Sequence, residues 1–415
     1  MSKLDELIKE LCPNGVEWKK LGEVAEIYGG LTGKSKTDFE NGNTKYISYK
    51  NIFSNIEVDF NKLENVKVSS NEKQHQVKYG DVLFTGSSEI AEEAGMSSSV
   101  TKKTNEKIYL NSFSFILRFN TEIKLIPEFS KYLFRSHFMR KAIAKTASGV
   151  TRYNVSKQRF KKLSIPFPPL PVQEEIVRIL DNFTELTAEL TAELTARKKQ
   201  YEYYRDSLLT FGDEVMEWKE LGSFGKVNMC KRILKEQTLD IGGVPFYKIG
   251  TFGKESNAYI PRELFDEYRS KYSYPKIGEV LISASGTIGR TVIFNGQDAY
   301  FQDSNIVWIE NDETQVLNKY LFYSYKIAKW GISQGGTIQR LYNDNLKKTK
   351  IPIPYPNDST KSLKEQQRIV EILDRFDTLC NDITQGLPAE IEARKKQYEY
   401  YRDKLLTFPK AKLEV

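Results

Sequence analysis

Two glycine-led stretches carry the residue types that read nucleic acid. Ser148-Gly149-Val150-Thr151-Arg152-Tyr153 and Gly335-Gly336-Thr337-Ile338-Gln339-Arg340 fall at matching places, with Gly149 and Gly335 each sixteen residues before Ile165 and Ile351. A glycine loop lets backbone approach a phosphate, and Arg or Gln can bond a guanine or adenine edge through two atoms at once. Behind these stretches, Lys157, Arg159, Lys161, Lys162 and Lys347, Lys348, Lys350 would meet phosphates, which gives affinity without sequence information. Further candidates are Thr85–Ser88 with Lys102 and Lys103, and Ser283–Arg290, both rich in Ser and Gly after matching strand ends. Solvated surface or a plain hairpin turn is the competing reading of each.

Other chemistries find little support. Tyr28-Gly29-Gly30-Leu31-Thr32-Gly33-Lys34-Ser35 suggests a phosphate loop, but the position five before Gly33 is Tyr28 where that loop requires Gly. An adenine methyltransferase would need an Asn-Pro-Pro-aromatic loop, and the prolines at 166–171 and 352–356 lack the Asn. No nuclease-type Asp…Glu-x-Lys set stands out. His75 and His137 are the two histidines, and Cys12, Cys230 and Cys380 have no paired spacing, so zinc and disulfide frameworks are not expected. Catalysis by this chain, or a cofactor bound to it, is therefore not expected. No apolar run approaches the ~18 residues of a membrane span, and the first residues do not resemble a secretory signal. A soluble cytoplasmic protein is the expectation.

Charge placement points to a polyanion. The chain carries a net charge of +7, and residues 1–171 alone hold 27 basic against 19 acidic residues. Residues 129–173 contain ten Lys or Arg and no acid, and 315–357 contain seven against Asp344 alone. Acid-free stretches of that length suit a nucleic acid, with a solvated basic surface as the alternative.

The elements that would position these residues occur twice. ARKKQYEYYRDSLLTF at 196–211 returns as ARKKQYEYYRDKLLTF at 393–408 with one difference. VEWKKLGE at 16–23 returns as MEWKELGS at 216–223, and LSIPFP at 163–168 as TKIPIP at 349–354. The chain is thus two copies of one unit, each a divergent globular part followed by a nearly identical charged segment. That segment reads as a helix over 172–209 with a heptad seam: Ile176, Leu180, Phe183, Thr187, Leu190, Leu194, Arg197, Tyr201, Tyr204 and Leu208 step by 4,3,4,3. The second seam runs Ile369, Leu373, Phe376, Cys380, Ile383, Leu387, Ile391, Arg394, Tyr398, Tyr401 and Leu405. Its extra step of four at Gly386-Leu387-Pro388 predicts a break or kink. The two helices are expected to pack antiparallel. Leu4, Ile8 and Leu11 share the seam phase of Tyr204, Leu208 and Phe211, so residues 1–14 are expected to form a stub where the last helix ends.

The globular parts carry short β-rich runs and one helix-like stretch late in each, at Glu128–Thr146 and Leu317–Trp330. The fold class is therefore α+β: two similar globular domains joined by two long antiparallel coiled-coil helices with an internal pseudo-twofold repeat. The expected division is 1–14, 15–168, 169–211, 212–356 and 357–415.

A divergent domain, a long helix, a second divergent domain and a second helix ending in ARKKQYEYYRD together resemble the specificity subunit of a type I restriction-modification enzyme. TELTAELTAELTA at 184–196 resembles the subgroup that carries TAEL repeats in its central spacer. The resemblance implies a non-catalytic reader of bipartite double-stranded DNA that scaffolds two DNA-methyltransferase subunits, with two motor-nuclease subunits joining for restriction. S-adenosylmethionine and ATP would then be bound by those partners, and no membrane is involved. Arg197-Lys198-Lys199-Gln200 and Arg394-Lys395-Lys396-Gln397, identical in the two copies, would suit two identical partners. The rivals are a coiled-coil adaptor joining two protein-binding modules, which the basic stretches oppose, and a degenerate methyltransferase, which the missing catalytic loop opposes.

Overall fold

The computed structural model describes residues 3–210, 215–331 and 339–411. The chain forms two compact units, Met1–Thr191 with Glu390–Val415, and Ala192–Ala389. Each unit holds one globular part, a portion of the central helix and a portion of the C-terminal helices.

The repeated motifs pair with one another inside each unit. In unit 1, strand Glu17–Lys20 lies antiparallel to Ser164–Phe167, with Trp18 opposite Pro166. In unit 2, Met216–Glu220 lies antiparallel to Lys350–Pro354, with Trp218 opposite Pro352. Each two-stranded ribbon thus closes its globular part at the point where a long helix departs.

Between those ribbons the two units share a topology. Unit 1 has an antiparallel sheet in the order Ala25–Gly29, Ser114–Phe119, Val82–Thr85, Ser97–Ser99. Unit 2 has Val227–Asn228, Ile306–Ile309, Val280–Ser283, Thr291–Ile293. A three-stranded sheet follows in each, with one parallel pair: Thr44–Ile47 beside Ile108–Leu110, and Val244–Tyr247 beside Tyr300–Phe301. Val82, Leu83, Phe84 and their counterparts Val280, Leu281, Ile282 are buried on both faces, so these strands read as unbroken apolar runs.

The helix-like stretch in unit 1 differs from expectation. It forms two helices, Pro127–Leu133 and His137–Ala144, because the chain turns at Arg135–Ser136. In unit 2 a single helix, Asn318–Ile327, fills the corresponding place. Both dock on a long helix through the same bonds. The buried Gln173 amide accepts from Ile126 N–H at 3.0 Å and donates to Lys124 O at 2.9 Å. The buried Gln366 amide accepts from Leu317 N–H at 2.9 Å and donates to Gln315 O at 3.0 Å. The Tyr132 hydroxyl donates to Asp181 at 2.5 Å, and the Tyr323 hydroxyl to Asp374 at 2.5 Å. Burial and the adjacent carboxylate hold both phenols well above the usual tyrosine range.

The central helix spans Leu170–Leu209. Most of its seam is covered: Ile176, Leu180 and Tyr201 are buried and Phe183, Thr187, Leu190, Leu194, Arg197 and Leu208 are half-buried, while Tyr204 is exposed. The C-terminal helix breaks into Ser359–Asn381 and Leu387–Leu405. The break falls just before Pro388, which occupies the second helical position of the new helix, where proline has no hydrogen bond to lose. Ile383 was expected on the seam, yet it lies in this link and is 81% exposed. In unit 2 the charges of Lys198 and Arg197 act on Cys380, and that of Asp377 on Tyr201, while Tyr204 stacks on Phe376. Numbers rise along one helix as they fall along the other, which makes the pair antiparallel.

In unit 1 the helix Lys3–Leu11 packs Leu4 into the core with Cys12, Val16, Leu406 and Phe408. Val16 N–H donates to Pro409 O and Ala411 N–H to Val16 O, each at 2.9 Å. Ile8 is half-buried against this core, but Leu11 is exposed. Phe211, the third residue of that comparison, lies outside the described residues.

Candidate nucleic-acid interface

Four loops converge at the same edge of each unit, held by equivalent backbone bonds. Val155 N–H donates to Gly86 O at 2.9 Å, as Leu341 N–H does to Ala284 O at 2.8 Å. Gly86 N–H donates to Phe113 O at 2.7 Å, as Ala284 N–H does to Asn305 O at 2.7 Å. Asn111 N–H donates to Ile47 O at 3.1 Å, as Gln302 N–H does to Tyr247 O at 3.0 Å. The stretches expected to read DNA therefore meet the loops that follow the apolar central strands. In unit 1 this contact is a small sheet, with Tyr153 opposite Ser88 and Asn154 opposite Ser87. In unit 2 it is a single bridge between Ser285 and Arg340.

Although the framework is shared, the linings differ. Unit 1 presents a cleft walled by Tyr49, Phe53, Ser87, Ile90, Phe113 and Arg152, with Glu89 and Glu93 at its rim. Tyr49 and Phe53 stack at 6.0 Å, and Phe113 is 60% exposed. Arg152 donates from Nε to Ser87 Oγ at 2.9 Å while its guanidinium lies 5.5 Å over the Phe113 ring. That leaves its terminal nitrogens for a ligand. Unit 2 presents a polar cleft with Arg232, Lys235, Lys248, Gln302, Asn305 and Arg340. Arg232 pairs with Asp303 at 2.9 Å and Asn305 accepts from Ser285 at 2.7 Å.

Several expected contacts sit elsewhere. Lys102 and Lys103 are exposed, but strand Ser97–Ser99 runs from Phe84 back to Val82, so they lie at the opposite sheet end from Thr85–Ser88. Lys103 instead rests 5.3 Å over the Tyr79 ring. Arg290 is half-buried and donates from Nη1 to Phe252 O at 2.9 Å, which ties it to the loop that follows strand Val244–Tyr247. Lys161 and Lys347 are exposed, yet their stems pack on Gly22 and Gly222, where an added Cβ would come within 3.1 Å of each. Gly149 is already required by its own turn, since a Cβ there would lie 1.9 Å from Arg152 O. Thr151, Lys157, Arg159, Lys162, Gln339 and Lys348 are exposed and Tyr153 is half-buried. Arg159 donates to Ser148 Oγ at 2.9 Å, and Lys157 lies 5.9 Å over the Phe115 ring. Thr337 and its neighbours Gly335, Gly336 and Ile338 lie outside the described residues. Lys34 of the glycine-rich segment pairs with Glu72, as a surface turn would and a phosphate loop would not.

Tyr49, Phe53, Phe113, Arg232, Lys235 and Lys248 were not singled out in the sequence. For Arg232 and Lys235 the signal available was a further acid-free run, Lys226 to Lys235, too short to stand out by composition. Among the described residues no group of three His, Cys, Asp or Glu could hold a metal, and no helix is long and apolar enough to cross a membrane.

This duplicated α+β framework with divergent clefts matches a known class. The family described as type I restriction modification DNA specificity domain matches residues 13–197 and again 214–393. The chain belongs to that family. It is 49% identical to a putative type I restriction enzyme specificity subunit of Haemophilus influenzae, covering 97% of this chain and 98% of that one. It is 39% identical to the EcoR124I/EcoR124II specificity subunit of Escherichia coli, over 62% of this chain and 65% of that one. Among solved structures, a chain from a type I R-M system complex superposes with TM-score 0.61 at 18% identity, covering 95% and 98% of the two chains. That last likeness bears on the fold. The chain is thus a type I specificity subunit, the DNA-recognition component of such a system rather than its catalyst.

Proposed function

We propose that the two clefts read the two halves of a bipartite double-stranded DNA target. The observation that carries this reading is a cleft in each unit beside the same backbone bonds, with Phe113 and Asn305 at matching places and the other walls drawn from different segments and side chains. A shared frame with divergent linings suits two different base sequences, and direct readout in the major groove depends on the donors and acceptors presented. Arg152 in unit 1 and Arg340 with Gln339 in unit 2 take the base edges. Tyr153 and Thr151 flank Arg152, and Lys157, Arg159, Lys162, Lys347 and Lys348 take phosphates.

The long helices hold two DNA-methyltransferase subunits, through which two motor-nuclease subunits join. Arg197 bonds Gln200 at 2.9 Å and Arg394 bonds Gln397 at 3.3 Å, so the identical segments present alike faces. Tyr203 and Tyr400, 70% and 60% exposed, each meet the next tyrosine edge-on. S-adenosylmethionine and ATP are bound by the partners in this reading. The test is the DNA affinity of the chain in complex with its methyltransferase, measured against salt. A steep fall with salt and a preference for one bipartite sequence are expected. Salt-independent or absent DNA binding by the intact complex would favour a protein adaptor instead.

A further inference from the structure

Two arginines that face no carboxylate at hydrogen-bond distance among the described residues fasten the walls of the unit 1 cleft. Arg135, at the turn between helices Pro127–Leu133 and His137–Ala144, donates from Nε to Ser97 O at 2.7 Å. Its Nη2 donates to Ile52 O at 2.8 Å, Phe53 O at 3.1 Å and Asn55 O at 3.2 Å. These carbonyls end the helix Tyr49–Ser54, which carries the stacked Tyr49 and Phe53. Arg140 donates to Glu92 O at 2.9 Å, Ala94 O at 2.8 Å and Gly95 O. That loop follows Ser88 and Ile90 and carries Glu93, so it forms the opposite wall.

Backbone carbonyls, joined only by the Met96 sulfur at 3.6 Å from Arg135 Nη1, take the place that a carboxylate holds in an ordinary ion pair. A guanidinium offers five donors in a fixed fork, which suits several carbonyls from one turn, whereas an ammonium does not. Desolvation brings both guanidinium pKa values down to about 10, so both keep their charge at neutral pH. Unit 2 is built otherwise. Counting from the paired tyrosines Tyr132 and Tyr323, Lys326 stands at the place of Arg135, and its ammonium rests 4.6 Å over the Phe322 ring.

We propose that Arg135 and Arg140 are positioning residues that fix the shape of the unit 1 cleft, and through it the bases accepted in one half of the target only. The inference rests on the reading that the clefts recognise DNA. A base-edge contact tolerates little displacement, so release of either wall relaxes the choice of base without removing the phosphate contacts.

The test uses the full chain with its methyltransferase on DNA randomised in both half-sites, with methylated sequences counted. For Arg140→Gln, discrimination in one half-site is expected to fall about tenfold or more, the range of one lost base contact. The other half-site, the spacer and the salt slope of DNA binding should stay as in the parent. A phosphate-binding role would instead lower the salt slope by about one, and that result would overturn the proposal. So would an unchanged motif, or equal loss in both halves from an assembled complex. Arg140→Lys should stay relaxed, because charge without the fork cannot span three carbonyls; full rescue by Lys would contradict the positioning role. If Arg140→Gln does not assemble, Arg135→Lys is read by the same criteria. Absence of any bipartite motif with the parent chain would reject the DNA reading itself, and is thereby distinguished from failure of this inference.

Discussion

Phe183 stacks on Tyr401 in unit 1 with ring centroids 5.4 Å apart and planes 23° from parallel. Its repeat partner Phe376 stacks on Tyr204 in unit 2 at 5.5 Å and 27°. One contact, made once with the phenylalanine on the central helix and once with it on the C-terminal helix, is what an internal twofold repeat of antiparallel helices requires. Tyr204 and Tyr401 are each 40% exposed, so these rings edge the seam rather than fill it.

Phe183→Ala and Phe376→Ala should each lower stability by about 2–3 kcal/mol, at or below the bottom of the range for a buried aromatic because neither site is fully buried. A double-mutant cycle between Phe183 and Tyr401 should give a coupling of about 0.5–1.5 kcal/mol. Denaturant unfolding of the four variants checks this, and a coupling near zero would mean that the stack contributes only its area.

Arg152→Ala should cost about 1–3 kcal/mol against the preferred sequence and relax one half-site. Lys157→Ala should weaken binding about equally on all sequences and reduce the salt slope by roughly one. Titrations of the methyltransferase complex on target and scrambled DNA at several salt concentrations separate the two outcomes.

Much of this arrangement was legible in the sequence, and the reason is repetition. Sixteen-residue copies with one difference identify the long helices, and the step of four near Pro388 marks the break. The pairing of Trp18 with Pro166, and of Trp218 with Pro352, was implicit in two separate repeated motifs. The clefts were only half legible. Arg152 and Arg340 stand in acid-free runs, whereas Tyr49, Phe113, Arg232 and Lys248 come from loops far away in the chain that register and strand order bring together. Lys102 and Lys103 show the converse: sequence nearness to Thr85–Ser88 placed them together, and the antiparallel return of Ser97–Ser99 carries them apart.

Stability should also depend on Glu175, where the Arg178 hydrogen bond, with Lys3, holds the carboxyl down from 4.5 to about 2. Because the folded value is depressed, the contribution is fully present above about pH 4.5 and is lost as pH falls toward 2. The difference in urea midpoint between the parent and Glu175→Gln should therefore be flat from neutral pH to about 5 and shrink below it. A difference that grows on acidification would contradict the assignment.

The TAEL repeat gives a geometric prediction. Four helical residues add about 6 Å of rise and about 40° of rotation, against about 3.4 Å and about 35° for one base pair. Deleting Thr191–Leu194 should shorten the accepted spacer by about one base pair and leave both half-sites unchanged. An unchanged spacer would show that the repeat only propagates helix through its Ala, Leu and Glu content.

The most direct test of bipartite target recognition is long-read methylation profiling of cells that express this chain with its methyltransferase, against cells lacking the chain. The account predicts a methylated motif of two short half-sites around a fixed unspecified spacer, present only with the chain. An identical methylation pattern in both cells, with the chain shown bound to its partner in an intact complex, would contradict it.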